Sequence, residues 1–451
     1  MSHDIAGEPT SAAGLRDEVI ALAQTLLRID STNGNETAVA EALADYLAAA
    51  DIAAELVGPD PARQNLIARL PGSGPRDGGP VPSLAFVGHS DVVPADARDW
   101  THPPFGAVLD DEGYLWGRGA LDMKNEVAAR AVAMASLARE GFAPRGDLVL
   151  IIAADEEDGS AGVGMNWLTP HRPDLAVDYA LNEGGGLPYT LADGRLMAAV
   201  GVGEKGTCPV RVDVLGEAGH ASMPSIGHSP MPRLAEVLGR IGLGLAEPAD
   251  HASIRSTLEA LLGHGAVDEL GLVVALERAQ ALHPVFGHLL PALAGTTMAP
   301  TLLYGSSASN VIPGRAGVGL DCRTLPGTLD AEVLDAVRDR VGLAEDLDLS
   351  QPQPSVPGNA SPAAGPLWDA CAEFLAATTQ AQPLPLLCTG FTDSVYLRRD
   401  FGTVAYGFSP FATTPPEVVE AGYHNRDERI HVDDLALSVA FHRRVAQRLL
   451  G

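Results

Sequence analysis

Two histidines and a series of carboxylates stand where short apolar runs end. Leu84, Ala85, Phe86 and Val87 are followed by Gly88, His89 and Asp91. A second run, DLVLIIA at 147–153, leads into Asp155, Glu156, Glu157 and Asp158. A third, DYAL at 178–181, leads to Glu183, and a fourth, TVAYGF at 403–408, has His424 beyond it. Asp122 stands apart, after GRGAL at 117–121. Imidazole and carboxylate together suit zinc and similar divalent ions. Two such ions close together need a shared anionic ligand to offset their repulsion. Each also needs its own His and carboxylate, with room for a bridging water whose lowered pKa makes it a nucleophile near neutral pH. A further carboxylate, outside the ligand set, must take that water's proton. Six side chains cover these needs, and the sequence offers six. Any one His or Asp after a strand is ordinarily a cap or turn residue; the recurrence is what points to a metal centre.

The elements that must position these groups are legible in outline. Continuous apolar runs of this length read as strands buried on both faces of a parallel sheet, whose carboxyl ends are where open α/β sheets bind ligands. Residues 11–54 read as two helices broken at 31–35, with Leu15, Val19, Leu22, Leu26 and Leu27, then Val39, Leu43, Tyr46 and Leu47, at helical spacing. A strand is expected at 65–70, a mobile Gly/Pro loop at 71–82, a loop with a small hairpin at 100–119 and an Ala-rich helix at 126–140. This strand–helix–strand rhythm predicts a mostly parallel sheet flanked by helices, with right-handed crossovers. The rhythm changes near Gly203. Residues 208–215 alternate like an antiparallel strand, a helix follows at 232–242, and 244–300 is mostly helical and weakly patterned. Strand-like 309–324, a helix at 330–341 and a strand at 345–349 complete an inserted α+β, ferredoxin-like domain. The predicted boundaries are 1–203 with 353–451 for the discontinuous catalytic domain, and 204–352 for the insertion. Residues 351–365 read as the linker back, followed by helices at 368–378 and 433–450.

A chain of 451 residues exceeds one ordinary core, which agrees with two domains. The formal net charge of -28 argues against nucleic acid or anionic membrane as the main partner, since both require a basic face. Cys208, Cys322, Cys371 and Cys388 form no CxxC pair and fit a reducing compartment better than a disulfide framework. The first residues lack the basic and apolar regions of a secretory signal, and no stretch reaches the ~18 apolar residues of a membrane span. A soluble, cytoplasmic protein is expected.

The motifs resemble those of the M20 metallopeptidases and amidohydrolases, the group of acetylornithine deacetylase, succinyl-diaminopimelate desuccinylase, aminoacylase and glutamate carboxypeptidase. The resemblance covers nearly the whole chain: GHSDVVP, WGRGALDMK, AADEEDGSAG, LNEGGG, GEAGHASMP, SASNVIP, DCRTLPG, CTGFTDS and GYHNRDERI. It implies His89, Asp122 as the bridge, Glu157, Glu183 and His424 as metal ligands. Glu156 would be the general base and then acid, and Asp91 would orient His89. It implies two divalent ions per chain, zinc with cobalt or manganese as substitutes. The insertion would be a lid and dimerisation domain that closes over the site. From it His220 would steady the oxyanion, and Asn310, Arg323 and Gly390 would bind substrate, the Arg fork suiting a carboxylate. By the same resemblance to dimeric relatives, a homodimer through the lid is expected.

Two departures stand out. Asn125 follows Lys124 where the family often has Gly, which is expected to alter a loop, and segment 244–300 enlarges the lid, which bears on any dimer geometry. Residues 201–206, GVGEKG, fit GxGxxG, but a dinucleotide fingerprint must open a helix and a strand-like run follows here. Two classes of function remain: a dinuclear zinc amide hydrolase, or a non-catalytic binding protein on the same fold. The complete residue set favours the enzyme. Within it, Glu rather than Asp at position 183 is by analogy the mark of acylases and carboxypeptidases, not dipeptidases. That favours an N-acyl amino acid or short peptide with a free carboxylate as substrate, with a dipeptidase as the alternative.

Overall fold

The computed structural model describes residues 11–74, 81–245, 247–342 and 344–451. The start of the chain, read above as lacking a signal, and the middle of the Gly/Pro loop at 71–82 lie outside them. The chain divides into two compact units: Met1–Val202 with Ser361–Leu386 and Thr392–Gly451, and Gly203–Ala360 with Leu387–Phe391. The short segment 387–391 groups with the second unit, where the Lys205 amide donates to the Cys388 carbonyl at 3.0 Å.

The first unit is built on a sheet whose strands run in the order Ala54–Val57, Asn65–Leu70, Leu148–Ala153, Leu84–His89, Tyr179–Asn182, Val404–Gly407 and Leu196–Glu204. The central four are mutually parallel, and the outer strands join antiparallel. Alternation along the apolar runs explains why they need no polar face. Leu84 and Phe86 join one core with Leu148, Leu150 and Ile152, while Ala85 and Val87 join the other with Val149, Ile151 and Ala153. Helices Ala12–Leu27, Glu36–Ala48, Lys124–Arg139, Pro366–Thr378 and Val432–Leu450 cover the first face; Met165–His171 and Ser394–Phe401 cover the second. Helix Lys124–Arg139 is buried from Lys124 to Leu137, and its alanines let helices Ala12–Leu27 and Val432–Leu450 approach closely. Asn125 lies in its first turn, so the departure there falls on the helix rather than on a loop.

A buried arginine ties the strand ends together. Arg130 donates to the Val87 carbonyl, to the Asn182 carbonyl at 2.8 Å, to Glu126 and, through Nε, to His442 Nε2 at 3.1 Å. His442 Nδ1 in turn faces the Ser438 carbonyl at 2.7 Å, so the ring is neutral with its proton on Nδ1. Burial, and then the Arg130 charge, hold His442 well below its usual 6.5. Below about 6.5 the unfolded chain therefore binds a proton that the fold refuses, and the stability tied to the neutral ring is lost as pH falls. The stability deficit of His442→Gln relative to wild type should shrink by up to about 1.4 kcal/mol per pH unit below 6.5. Denaturant unfolding at pH 7.5 and 5.5 measures this, and a deficit that stays constant would show that the ring titrates freely in the fold.

The second unit carries an antiparallel sheet in the order Gly206–Thr207, Arg315–Thr324, Val210–Leu215 and Leu347–Ser350, with Thr297–Tyr304 also paired to Arg315–Thr324. Val210, Val212, Val214, Val318 and Leu320 pack with the apolar faces of helices Met231–Ile241 and Asp330–Val341. The segment 244–300 forms helices Ala252–Leu262, Ala266–Leu270, Leu272–Gln280 and Phe286–Leu293 before strand Thr297–Tyr304 begins. Residues 201–204 and 206 lie on strands, and no helix opens there, so no dinucleotide fingerprint is formed. Among the described residues, no helix is long and apolar enough to cross a membrane.

Candidate metal centre

Because the central strands are parallel, their carboxyl ends share one edge, and the chemistry-bearing residues collect there. His89 closes its strand and is 1% exposed. Its Nδ1 lies 3.0 Å from the Asp91 carbonyl oxygen, which can only accept, so Nε2 is left to face the cluster. His89 Nε2 is 3.1 Å from Asp122 Oδ1 and 3.3 Å from Glu183 Oε2. On the other side His424 Nε2 is 3.3 Å from Asp122 Oδ2 and 2.9 Å from Glu157 Oε2. Two groups thus offer ligand atoms within 4.8 Å of one another: His89, Asp122 and Glu183, and Asp122, Glu157 and His424. They share Asp122, one oxygen to each. Glu156 belongs to neither, and its Oε2 lies 3.9 Å from His89 Nε2.

The turn that carries Glu156 and Glu157 is held from below. Asp91 accepts from the Glu156 amide at 3.2 Å and the Glu157 amide at 3.0 Å. Its carboxylate is farther from His89 Nδ1, at 3.5 Å, so Asp91 touches the ring through its carbonyl and braces the turn through its side chain. Asp155 accepts from the Gly162 amide at 2.7 Å and pairs with Arg63 at 2.9 Å; Arg63 also grips Glu36.

The charge balance of the cluster calls for cations. Glu157 Oε1 and Glu183 Oε1 are buried and accept no hydrogen bond, an arrangement costly unless something positive meets them. Burial lowers the His89 pKa, but Glu183, Asp122 and Asp91 outweigh it and raise it well above 6.5. Hydrogen bonds to Asp122 and Glu157 push His424 up to about 10. Burial, with Asp122 and Glu157 nearby, pushes Glu183 up to about 7. Burial and Glu183 push Glu156 well above the carboxylate range. A shared carboxylate, one imidazole and one further carboxylate per group, and orphaned oxygens fit a pair of divalent ions.

The remaining expected residues lie in the second unit. His220 closes the short strand Gly219–His220, opposite Val311; its Nδ1 is 2.8 Å from Ser222 Oγ. The Asn310 carbonyl accepts from the Ala221 amide at 3.0 Å, so His220 and Asn310 are neighbours. The Arg323 fork is taken by Asp321, at 2.8 and 3.1 Å, two residues back on the same strand. At Gly390 an added Cβ would meet only Cys388 Sγ, at 3.7 Å. Sequence reasoning missed three features: the Glu36–Arg63–Asp155 network, Glu428, and Asp393. Asp393 is 3% exposed with Oδ2 unpartnered, and burial pushes its carboxyl well above the usual range. Its signal was present in CTGFTDS, since an Asp before a helix after a strand end matches the pattern of the other ligand-edge carboxylates.

The model of peptidase family M20/M25/M40 matches residues 85–448. A succinyl-diaminopimelate desuccinylase from Rhodospirillum centenum is 30% identical over 393 residues, covering 85% of this chain and 84% of the relative. The fold is similar to that of an M20 family metallo-carboxypeptidase from Sulfolobus solfataricus, with a TM-score of 0.69 at 18% identity over 96% of this chain and 99% of that one. It is also similar to a dinuclear metal binding peptidase of the M20 family from Bacillus subtilis, with a TM-score of 0.60 at 14% identity over 97% of this chain and 99% of that one.

Proposed function

The chain belongs to peptidase family M20/M25/M40 and is a metal-dependent hydrolase; from that premise we propose that it cleaves the amide bond of an N-acyl amino acid, or of a short peptide with a free carboxylate. The observation that carries this reading is the division of Asp122 between two His-carboxylate groups, with the unligated Glu156 beside them. His89, Asp122 and Glu183 would hold one divalent ion, and Asp122, Glu157 and His424 the other. Two such ions, zinc with cobalt or manganese as substitutes, supply when bound polarisation of the scissile carbonyl and a lowered pKa for water. Glu156 takes the proton of the attacking water and returns it to the leaving amine nitrogen. In this reading the second unit is the lid: His220 steadies the developing oxyanion, and Asn310, Arg323 and Gly390 hold the substrate. A homodimer through that unit belongs to the same reading.

The matched relative bears the name of a desuccinylase, so N-succinyl amino acids belong in the first panel, beside N-acetyl amino acids and dipeptides. Metal-loaded protein should release free amine from the acyl amino acids, lose the activity with chelator and regain it with metal. Cleavage of dipeptides alone would replace deacylation by dipeptidase activity, and no cleavage anywhere would favour a binding role. The substrate carboxylate has its own test. Arg323 must exchange Asp321 for the substrate, and Arg323→Ala removes the fork. Wild type should prefer a carboxylate substrate to its carboxamide, and the variant should lose roughly 10–100-fold of that preference in kcat/KM, with metal content unchanged. An unchanged preference would make the Arg323–Asp321 pair structural.

A further inference from the structure

We infer that Glu428 is a positioning residue for the second group of metal ligands: it locks the loop that carries Asp122 to the loop that carries His424. Glu428 is fully buried. Its Oε1 accepts from the amides of Leu121 at 2.6 Å and Asp122 at 3.0 Å. Its Oε2 accepts from the Gly119 amide at 3.0 Å and from Arg118 Nη1 at 2.8 Å. Its own carbonyl accepts from the Gly117 amide at 3.0 Å. One side chain thus satisfies three consecutive-turn amides and a buried cation, all within 118–122.

The two loops leave one small sheet. Arg429–His431 pairs antiparallel with Tyr114–Trp116, Arg429 opposite Trp116. Glu428 comes immediately before the first strand, and the Asp122 loop comes immediately after the second. His424 lies four residues before Glu428, so the contact of His424 Nε2 with Asp122 Oδ2, at 3.3 Å, spans the two loops that Glu428 joins. His89 and Glu183, by contrast, are held by strands of the main sheet. A loop containing Gly117 and Gly119 would otherwise have to be ordered when metal binds, and that cost would weaken the site. The carboxylate grips the backbone of Asp122 and leaves both side-chain oxygens for the two histidines. Groups that hold metal ligands in place commonly contribute about 10–100-fold to affinity.

The inference rests on the reading of the two groups as metal sites, and zinc titration separates the two. If wild-type protein binds no zinc, that reading fails; if wild type loads two ions and Glu428→Gln behaves identically, only the role of Glu428 fails. The expected result is that Glu428→Gln gives up one of two zinc ions at a chelator concentration about 10–100-fold lower than wild type, and the other, which shares Asp122 but keeps His89 and Glu183 on the main sheet, with a clearly smaller shift. In a His424→Ala background, Glu428→Gln should add little, because the group it serves is already disabled. Equal weakening of both ions, additive with His424→Ala, would make Glu428 a general structural residue and overturn the inference. Arg118→Gln removes the cation from the same carboxylate and should shift the chelator titration in the same direction by less; wild-type behaviour there counts against the inference. One measurement needs no variant. In metal-free wild-type protein, the amides of Gly119, Leu121 and Asp122 should already be protected from hydrogen exchange, and exchange at the rate of a free chain would overturn the inference.

Discussion

Glu156→Gln should retain both divalent ions and turn over substrate roughly 10²–10⁴-fold more slowly than wild type. The amide has nearly the shape of the carboxylate but cannot take a proton. The turn is secured independently of this side chain, because Asp91 holds the Glu156 and Glu157 amides and Asp155 holds the amides that follow. Loss of activity can therefore be assigned to proton transfer rather than to collapse of the site. Elemental analysis and kcat on the same preparation make the check. Turnover near wild type would rule out Glu156 as the base. Loss of an ion would make Glu156 a ligand, in conflict with the 3.9 Å that separates it from His89 and with its absence from both groups.

The parts of the fold that were legible are those where burial is complete. DLVLIIA and LAFV could be read as inner parallel strands because a strand covered on both faces tolerates no polar position, and the structure puts Leu148–Ala153 and Leu84–His89 at the centre of the sheet. Strands Gln382–Cys388 and Thr297–Tyr304 escaped notice. The first contains Pro383 and Pro385. The second contains Pro300 beside a register shift and leaves Leu302 and Leu303 exposed, so neither apolar alternation nor composition marked it. Prolines of this kind belong to edges and irregular pairings, where the local pattern stops reporting the sheet.

The site divides the same way. Residue types at strand ends are local facts, and His89, Glu156, Glu157 and Glu183 follow from them. What shapes the cluster is non-local. Glu428 reaches amides more than 300 positions earlier in the chain, at a sequence separation of 306 for Asp122. Arg63 joins Glu36 to Asp155 across separations of 27 and 92. Nothing in the neighbourhood of these residues in the sequence announces a partner. Buried charges of this sort become readable only when the fold brings the opposite charge or the amide to them.

Asp122 should be the most damaging ligand to remove, because it alone serves both groups. Asp122→Ala is expected to lose both ions and with them all metal-dependent activity, whereas His89→Ala and His424→Ala should each lose one. The Ala variant should still fold, since Glu428 grips the backbone amide of residue 122, a contact that does not depend on the Asp122 side chain. The two single-His variants should differ in a further respect. The His424 side chain is 55% exposed and His89 is 1% exposed, so in wild type the ion held by His424 should be the first removed as chelator is raised. His89→Ala should leave an ion that is easily stripped, and His424→Ala one that resists. Metal content across the three variants under graded chelator decides the matter: Asp122→Ala protein that keeps two ions, or loses only one, would show that Asp122 does not bridge.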